Sequence, residues 1–209
     1  MTQVLLAIDT SQGTTAAVLV DGKLLAEITE ENSMQHAENI GTVISNCLQK
    51  SGKKSSEVTA VAIGLGPAPF TGLRVGIAAA KLFAEGVGAH LFGVSSLDAL
   101  AFDLELSENT LVTSDARRSE VYFSLYRGKT KAGVPIILQG PGVSKLADLE
   151  HALATQTISY QLLAPKIRAS SVGQLLLSQL SDGTASSVIQ ANYLRAPDAV
   201  PAKGKKVSG

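Results

Sequence analysis

From residue 109 the predicted elements begin their order again, and this repetition constrains the fold more than any single motif in the chain. In the first run, residues 4–9 form a short apolar strand. Residues 16–20 and 23–29 flank Asp21-Gly22, a dipeptide suited to a tight hairpin, so the run opens with three antiparallel strands. A helix is expected over 33–51, with Asn32 and Gln35 as its capping pair and Lys50 and Gly52 at its end. A strand at 59–64, a helix at 71–85, a strand at 90–94 and a short helix from 96 follow, an alternation that implies parallel pairing. The second run repeats the pattern with strands at 110–114, 120–127 and 134–138, then helix, strand and helix to about residue 180. The evidence for duplication is this order, since the two copies share little sequence. It divides the chain into a lobe at 1–106, a shorter lobe at 107–195 and a tail at 196–209 that carries two prolines and three lysines and is expected to be mobile.

Three loops decide what such a duplication could hold. Asp9-Thr10-Ser11-Gln12-Gly13-Thr14-Thr15 lies in the turn between the first two strands. Gly64-Leu65-Gly66-Pro67-Ala68-Pro69-Phe70-Thr71-Gly72 joins a buried strand to a helix. Ser114-Asp115-Ala116-Arg117-Arg118 sits at the matching strand end of the second copy. Two βββαβα-type copies with an aspartate after the first strand of each resemble the actin-like ATPase (ASKHA) fold, an α/β architecture of two lobes, here with the second lobe degenerate. In kinases of that fold the first hairpin meets phosphate and magnesium, which makes Asp9, Thr10, Ser11 and Gly66 the candidate nucleotide residues.

The same residues also fit a structural reading. Gly64 and Gly66 permit a tight strand exit, Thr71 caps the helix, and the hairpin hydroxyls satisfy turn amides. No Gly-Lys-Ser/Thr ending follows the glycine loop, the second copy has no glycine after Asp115, and Gly140-Pro141-Gly142 comes too early to serve as an adenosine loop. Half of an ATP clamp is missing, and no tightly bound cofactor is expected.

Composition removes other classes. The 18 basic and 18 acidic residues balance, so no overall field draws the chain onto nucleic acid or an anionic membrane. Lys203, Lys205 and Lys206 are read as a solvated tail rather than an RNA contact. A single cysteine, Cys47, excludes an intramolecular disulfide and fits a reducing compartment. The start of the sequence has no basic, apolar, cleavable leader, and no run approaches the roughly 20 apolar residues of a membrane span; the expected location is the cytoplasm.

His36 has isoleucine at position 40, where a helical metal site would need its second ligand. On a helical wheel it falls with Ile40, Val43 and Cys47 in one apolar arc, so it is expected among packing residues. The helix at 71–85 is apolar almost all round, interrupted only by Arg74, Lys81 and Glu85. Gly72, Gly76, Ala79 and Phe83 lie along one ridge that would let another helix approach closely. Either the chain's own sheet and first helix cover it, or a partner does. The expected partner surface comprises His36, Ile40, Ile44, Gly72, Gly76, Ala79, Ala80 and Phe83.

Taken together, Ala7-Ile8-Asp9-Thr10-Ser11, His36, Gly64-Leu65-Gly66-Pro67 with Phe70-Thr71-Gly72-Leu73-Arg74-Val75-Gly76, Gly93-Val94-Ser95-Ser96-Leu97, Asp115-Ala116-Arg117 with Glu120-Val121-Tyr122, and Tyr193-Leu194-Arg195 resemble the TsaB family. The resemblance implies a non-catalytic subunit in bacterial synthesis of N6-threonylcarbamoyladenosine at position 37 of tRNAs reading codons that begin with A. It implies pairing with the TsaD transferase through the first two helices, a homodimer when TsaD is absent, the TsaE ATPase as a third component, ATP and magnesium used by the wider complex, and tRNA met only through that complex. Ala68-Pro69 replaces the Gly-Ser usual before Phe70, and Asn192 stands where a proline is typical. Two alternatives are a small actin-like kinase or ATPase and a metal-dependent peptidase, the latter opposed by the absence of a paired metal histidine.

Overall fold

The computed structural model describes residues 2–32 and 35–195. Two sheets carry the chain. In the first, β1 (Val4–Asp9), β2 (Thr14–Val20), β3 (Lys23–Glu30), β4 (Ala60–Gly64) and β5 (His90–Val94) stand in the order β3-β2-β1-β4-β5. In the second, β6 (Asn109–Asp115), β7 (Glu120–Lys129), β8 (Pro135–Lys145) and β9 (Gln161–Leu163) stand in the order β8-β7-β6-β9. Each sheet is built around its first strand. β1 pairs antiparallel with β2 and parallel with β4, and β6 pairs antiparallel with β7 and parallel with β9. The duplication read from element order is therefore present in the pairing, with the second copy one strand shorter.

The helices are α1 (His36–Ser51), α2 (Phe70–Val87), α3 (Ser96–Phe102), α4 (Leu146–Thr155) and α5 (Ala169–Asp182). β1 is buried along its whole length because both faces of the sheet are covered. Val4, Leu6 and Ile8 point to one face and pack with Ile40, Val43, Ile44 and Cys47 of α1 and Ala80 and Ala84 of α2. Leu5 and Ala7 point to the other and pack with Leu97 and Leu100 of α3 and Val172, Leu175 and Leu176 of α5. The second sheet alternates likewise. Val112, Tyr122 and Tyr126 join the core shared with the first sheet, whereas Leu111, Phe123 and Leu125 face Leu149 and Leu153 of α4. The sheets divide between β5 and β6, but α5 lies against β1 and β2, so the halves share one core.

Several local expectations are corrected. α1 begins at His36, not at 33. Its N-cap is Gln35, without a side-chain cap bond, and Asn32 hydrogen-bonds the Gln35 side chain instead (Nδ2 to Oε1, 3.0 Å). α2 begins one residue before Thr71, with Pro69 at the N-cap, so Thr71 sits inside the first turn and caps nothing. Thr14 and Thr15 belong to β2, paired with Glu30 and Thr29, rather than to the turn. β8 runs on through Gly140-Pro141-Gly142 to Lys145, which a proline allows because β8 is an edge strand. The proposed tail at 196–209, with its lysines, and residues 33 and 34 lie outside the described residues. Among the described residues no helix is long and apolar enough to cross a membrane.

Candidate functional site

The C-terminal ends of β1, β4 and β5 bring the first two loops together. Asp9 closes β1 with no exposed surface. The chain then folds back so that the backbone N–H and the hydroxyl of Ser11 both donate to Oδ1 (2.6 Å each). Ser96, in the first turn of α3, donates its hydroxyl to Oδ2 (2.7 Å) and accepts from Gly66 N (3.1 Å). Burial raises the Asp9 carboxyl above its ordinary value, a shift reduced by the Ser11 and Ser96 hydrogen bonds and by the charge of His36. A Cβ at Gly64 would overlap the Asp9 carboxylate, so β4 has to end in glycine for Asp9 to lie where it does.

The next residues repeat this closeness on α2. Thr10 donates its hydroxyl to Gly72 O (2.9 Å), and a Cβ at Gly76 would overlap that same hydroxyl. A Cβ at Gly72 would stand 2.7 Å from His36 Nε2. The other ring nitrogen, Nδ1, meets Thr14 Oγ1 at 2.9 Å. Burial lowers the His36 pKa, the Asp9 charge raises it, and the charge of Arg117 lowers it further. The glycines of the loop and of α2 therefore make room for this chain's own Asp9, Thr10 and His36. The Ser11 and Ser96 hydroxyls are engaged with the Asp9 carboxylate, and the Thr10 hydroxyl with Gly72 O. Among the described residues, no group of three or more His, Cys, Asp or Glu side chains could hold a metal ion.

This placement corrects two expectations. His36 does not lie in the apolar stripe of α1. It opens the helix, and side chains there project back over the preceding turn, toward Thr14 and Gly72. The small-residue ridge of α2 is a free surface only in part: Gly72 and Gly76, and with them Ala80, are buried inside the chain, because residues four apart share the face turned to the sheet, whereas Ala79 and Phe83 are half-buried. The surface α2 does offer is the half of this ridge formed by Ala79 and Phe83. Ile40, Gly41, Ile44 and Leu48 of α1 and Ala79 and Phe83 of α2 line an open groove of about 580 Å³ rimmed by Ser45, Gln49, Lys53 and Ser55, and Leu82, which precedes Phe83 on α2, is 72% exposed. Of the eight expected interface residues, Ile40, Ile44, Ala79 and Phe83 meet at this groove.

The second copy places the aspartate read from the sequence and adds contacts that sequence reasoning missed. Asp115 ends β6 as Asp9 ends β1, and it accepts Arg117 N (2.8 Å) in the same two-residue turn. Arg117, Arg118 and Ser119 all adopt left-handed backbone, at φ 63°, 54° and 61°. Arg195 closes over this turn, donating to Ala116 O (2.7 Å) and pairing with Glu120 (3.2 Å). Two residues earlier, Tyr193 receives a hydrogen bond from Arg74 Nε (3.1 Å), whose guanidinium lies 3.7 Å over the Phe70 ring. Ser96 and Arg195 stood in motifs noticed in the sequence, but nothing local linked them to loops 87 and 79 residues away.

Comparison with known proteins bears on the family and the fold. The family model described as TsaD, tRNA N6-adenosine threonylcarbamoyltransferase, matches residues 23–191. An uncharacterized protein of Mycobacterium leprae is 33% identical over 212 residues, which cover 95% of this chain and 56% of that protein. The tRNA threonylcarbamoyladenosine biosynthesis protein TsaB of Haemophilus influenzae is 37% identical over 123 residues, covering 57% of this chain and 52% of TsaB. YeaZ from Pseudomonas aeruginosa superposes with a TM-score of 0.73 at 24% identity, over 92% of this chain and all of YeaZ, which shows the shared α/β actin-like fold.

Proposed function

We propose, for a chain that belongs to the TsaB/YeaZ-like group of the threonylcarbamoyltransferase family, that it serves as a partner subunit in forming N6-threonylcarbamoyladenosine in tRNA and turns over no substrate itself. Its role is to bind and activate a TsaD-type transferase acting at position 37 of tRNAs that read codons beginning with A. TsaE supplies the ATPase step, a homodimer forms when the transferase is absent, tRNA is met only through the complex, and the site of action is the cytoplasm. The observation that carries this reading is the pairing of a filled cleft with an open apolar groove: the Ser11 and Ser96 hydroxyls are engaged with the Asp9 carboxylate, while the α1–α2 face leaves Leu82 bare. Covering one leucine of this kind is worth about 1.5–3 kcal/mol, enough that a partner seated there gains substantially from it.

Ala79→Arg tests the surface. Ala79 is half-exposed at the groove, so a long charged side chain can reach solvent in the monomer but not beneath a partner. The variant is expected to fold like the wild type and to show no complex with the transferase by light scattering. A complex of unchanged mass would remove the groove from the account.

A kinase or ATPase of the same fold is favoured by one observation, a buried aspartate at the end of β1 with hydroxyls around it. Titration calorimetry with magnesium-ATP separates the two readings. The partner reading expects no saturable heat from the isolated chain, and micromolar binding would select the kinase.

A further inference from the structure

We propose that residues 186–195 form a strap through which the β6–β7 turn of the second copy fixes the first turn of α2. The strap is held along its length. Gly93 N donates to Ser186 O (2.9 Å) at the edge of β5, and Asn192 N donates to Leu65 O (2.8 Å) in the glycine loop. Tyr193 then stacks on Phe70 with ring centroids 5.0 Å apart and accepts from Arg74, so it touches the first and fifth residues of α2. Arg195 crosses to the other half and grips the β6–β7 turn through Ala116 O and Glu120.

Within three residues, then, one segment ties the start of α2 to a turn that carries three successive left-handed residues. Non-glycine residues hold that conformation only when their surroundings impose it. Arg195 does so here, with charge-assisted bonds that outweigh a neutral hydrogen bond. The strap adds hydrophobic contact to these bonds, since Ile189 and Leu194 pack against the two cores while Tyr193 remains 43% exposed and Val188 65% exposed. It sets the axis of α2 and with it Ala79 and Phe83 at the groove; that last link rests on the partner reading above.

Hydrogen exchange on the isolated full chain tests the strap without a partner. Arg195→Ala is expected to speed exchange about tenfold both in peptides covering 116–120, where the arginine bound, and in those covering 70–75, which it never touches. Arg195→Lys, which keeps the charge but loses the fork, is expected to fall between, and peptides from β1 are expected to stay protected. Faster exchange confined to 116–120, or none, overturns the proposal. Should Arg195→Ala lose protection in β1 as well, Glu120→Gln gives the same two-region readout with a milder change and decides it. Light scattering with the transferase keeps the two claims apart. A wild-type chain that forms no complex removes the partner reading and leaves the exchange result standing, whereas uncoupled exchange in a chain that still forms a complex removes the strap alone.

Discussion

Asp9 and Asp115 end the first strand of their respective sheets, each beside an antiparallel and a parallel neighbour, and each accepts the backbone N–H two residues on. From that shared start they diverge. Around Asp9 the chain satisfies a buried carboxyl group with hydroxyls from the β1–β2 loop and from α3, and clears space with glycines at 64, 72 and 76. Around Asp115, which is exposed, no glycine follows; the turn takes left-handed backbone on arginine and serine instead and is held from outside by Arg195. One copy spends side-chain packing to close its loop, the other spends backbone conformation. The difference teaches that two loops at the same place in a duplicated pattern are held by unrelated means, one by side-chain packing inside its own half and the other by a contact from the far end of the described chain.

The largest expected effect tests the packed loop. Gly64→Ala pushes a methyl group into the Asp9 carboxylate, which has nowhere to move, and should cost about 3 kcal/mol or more in chemical denaturation. A neutral result would mean the cleft is loose enough to admit a ligand. Paired deletions come next. Asp9→Ala leaves the donors of Ser11 and Ser96 unmatched in the interior and should cost about 2 kcal/mol, whereas Asp115→Ala removes one exposed hydrogen bond and should cost under about 1 kcal/mol. Equal costs would erase the contrast. Ser119→Gly should relieve left-handed strain and stabilise by up to about 1 kcal/mol, visible as a higher denaturation midpoint.

The smallest effect is a pH dependence. Burial holds His36 below its ordinary value, so the unfolded chain binds the proton more readily than the folded one. Stability should therefore be full above the usual histidine range and decline as pH falls through it, with His36→Gln flattening that slope. Asp9 acts with the opposite sign at lower pH: its folded value is raised, so its contribution is present below the ordinary carboxylate value and is lost as pH rises through the folded one. A slope that survives in His36→Gln would place the titrating group elsewhere.

Much of the fold was legible because it is written in period and order. β1, the stripe of Ile40, Ile44 and Leu48, and the antiparallel opening of each copy follow from alternation and helical spacing. The site was legible only in part. The small residues of α2 do signal close approach, but smallness does not say from which side, and the approaching groups are Thr10 and His36 of the same chain. His36 was misplaced because a helical wheel gives an angle and not the backward lean of a first-turn side chain. Ser96 and Arg195 act 87 and 79 residues from their partners, a distance at which no local pattern speaks.

The central claim is that this chain acts through its α1–α2 face upon a transferase and not through its cleft. Its most direct test is threonylcarbamoyladenosine formation on tRNA by the cognate transferase alone, with the wild-type chain, and with Ala79→Arg. The account predicts modification with the wild-type chain and a return to the level of the transferase alone with the variant. Equal modification in all three mixtures would contradict it.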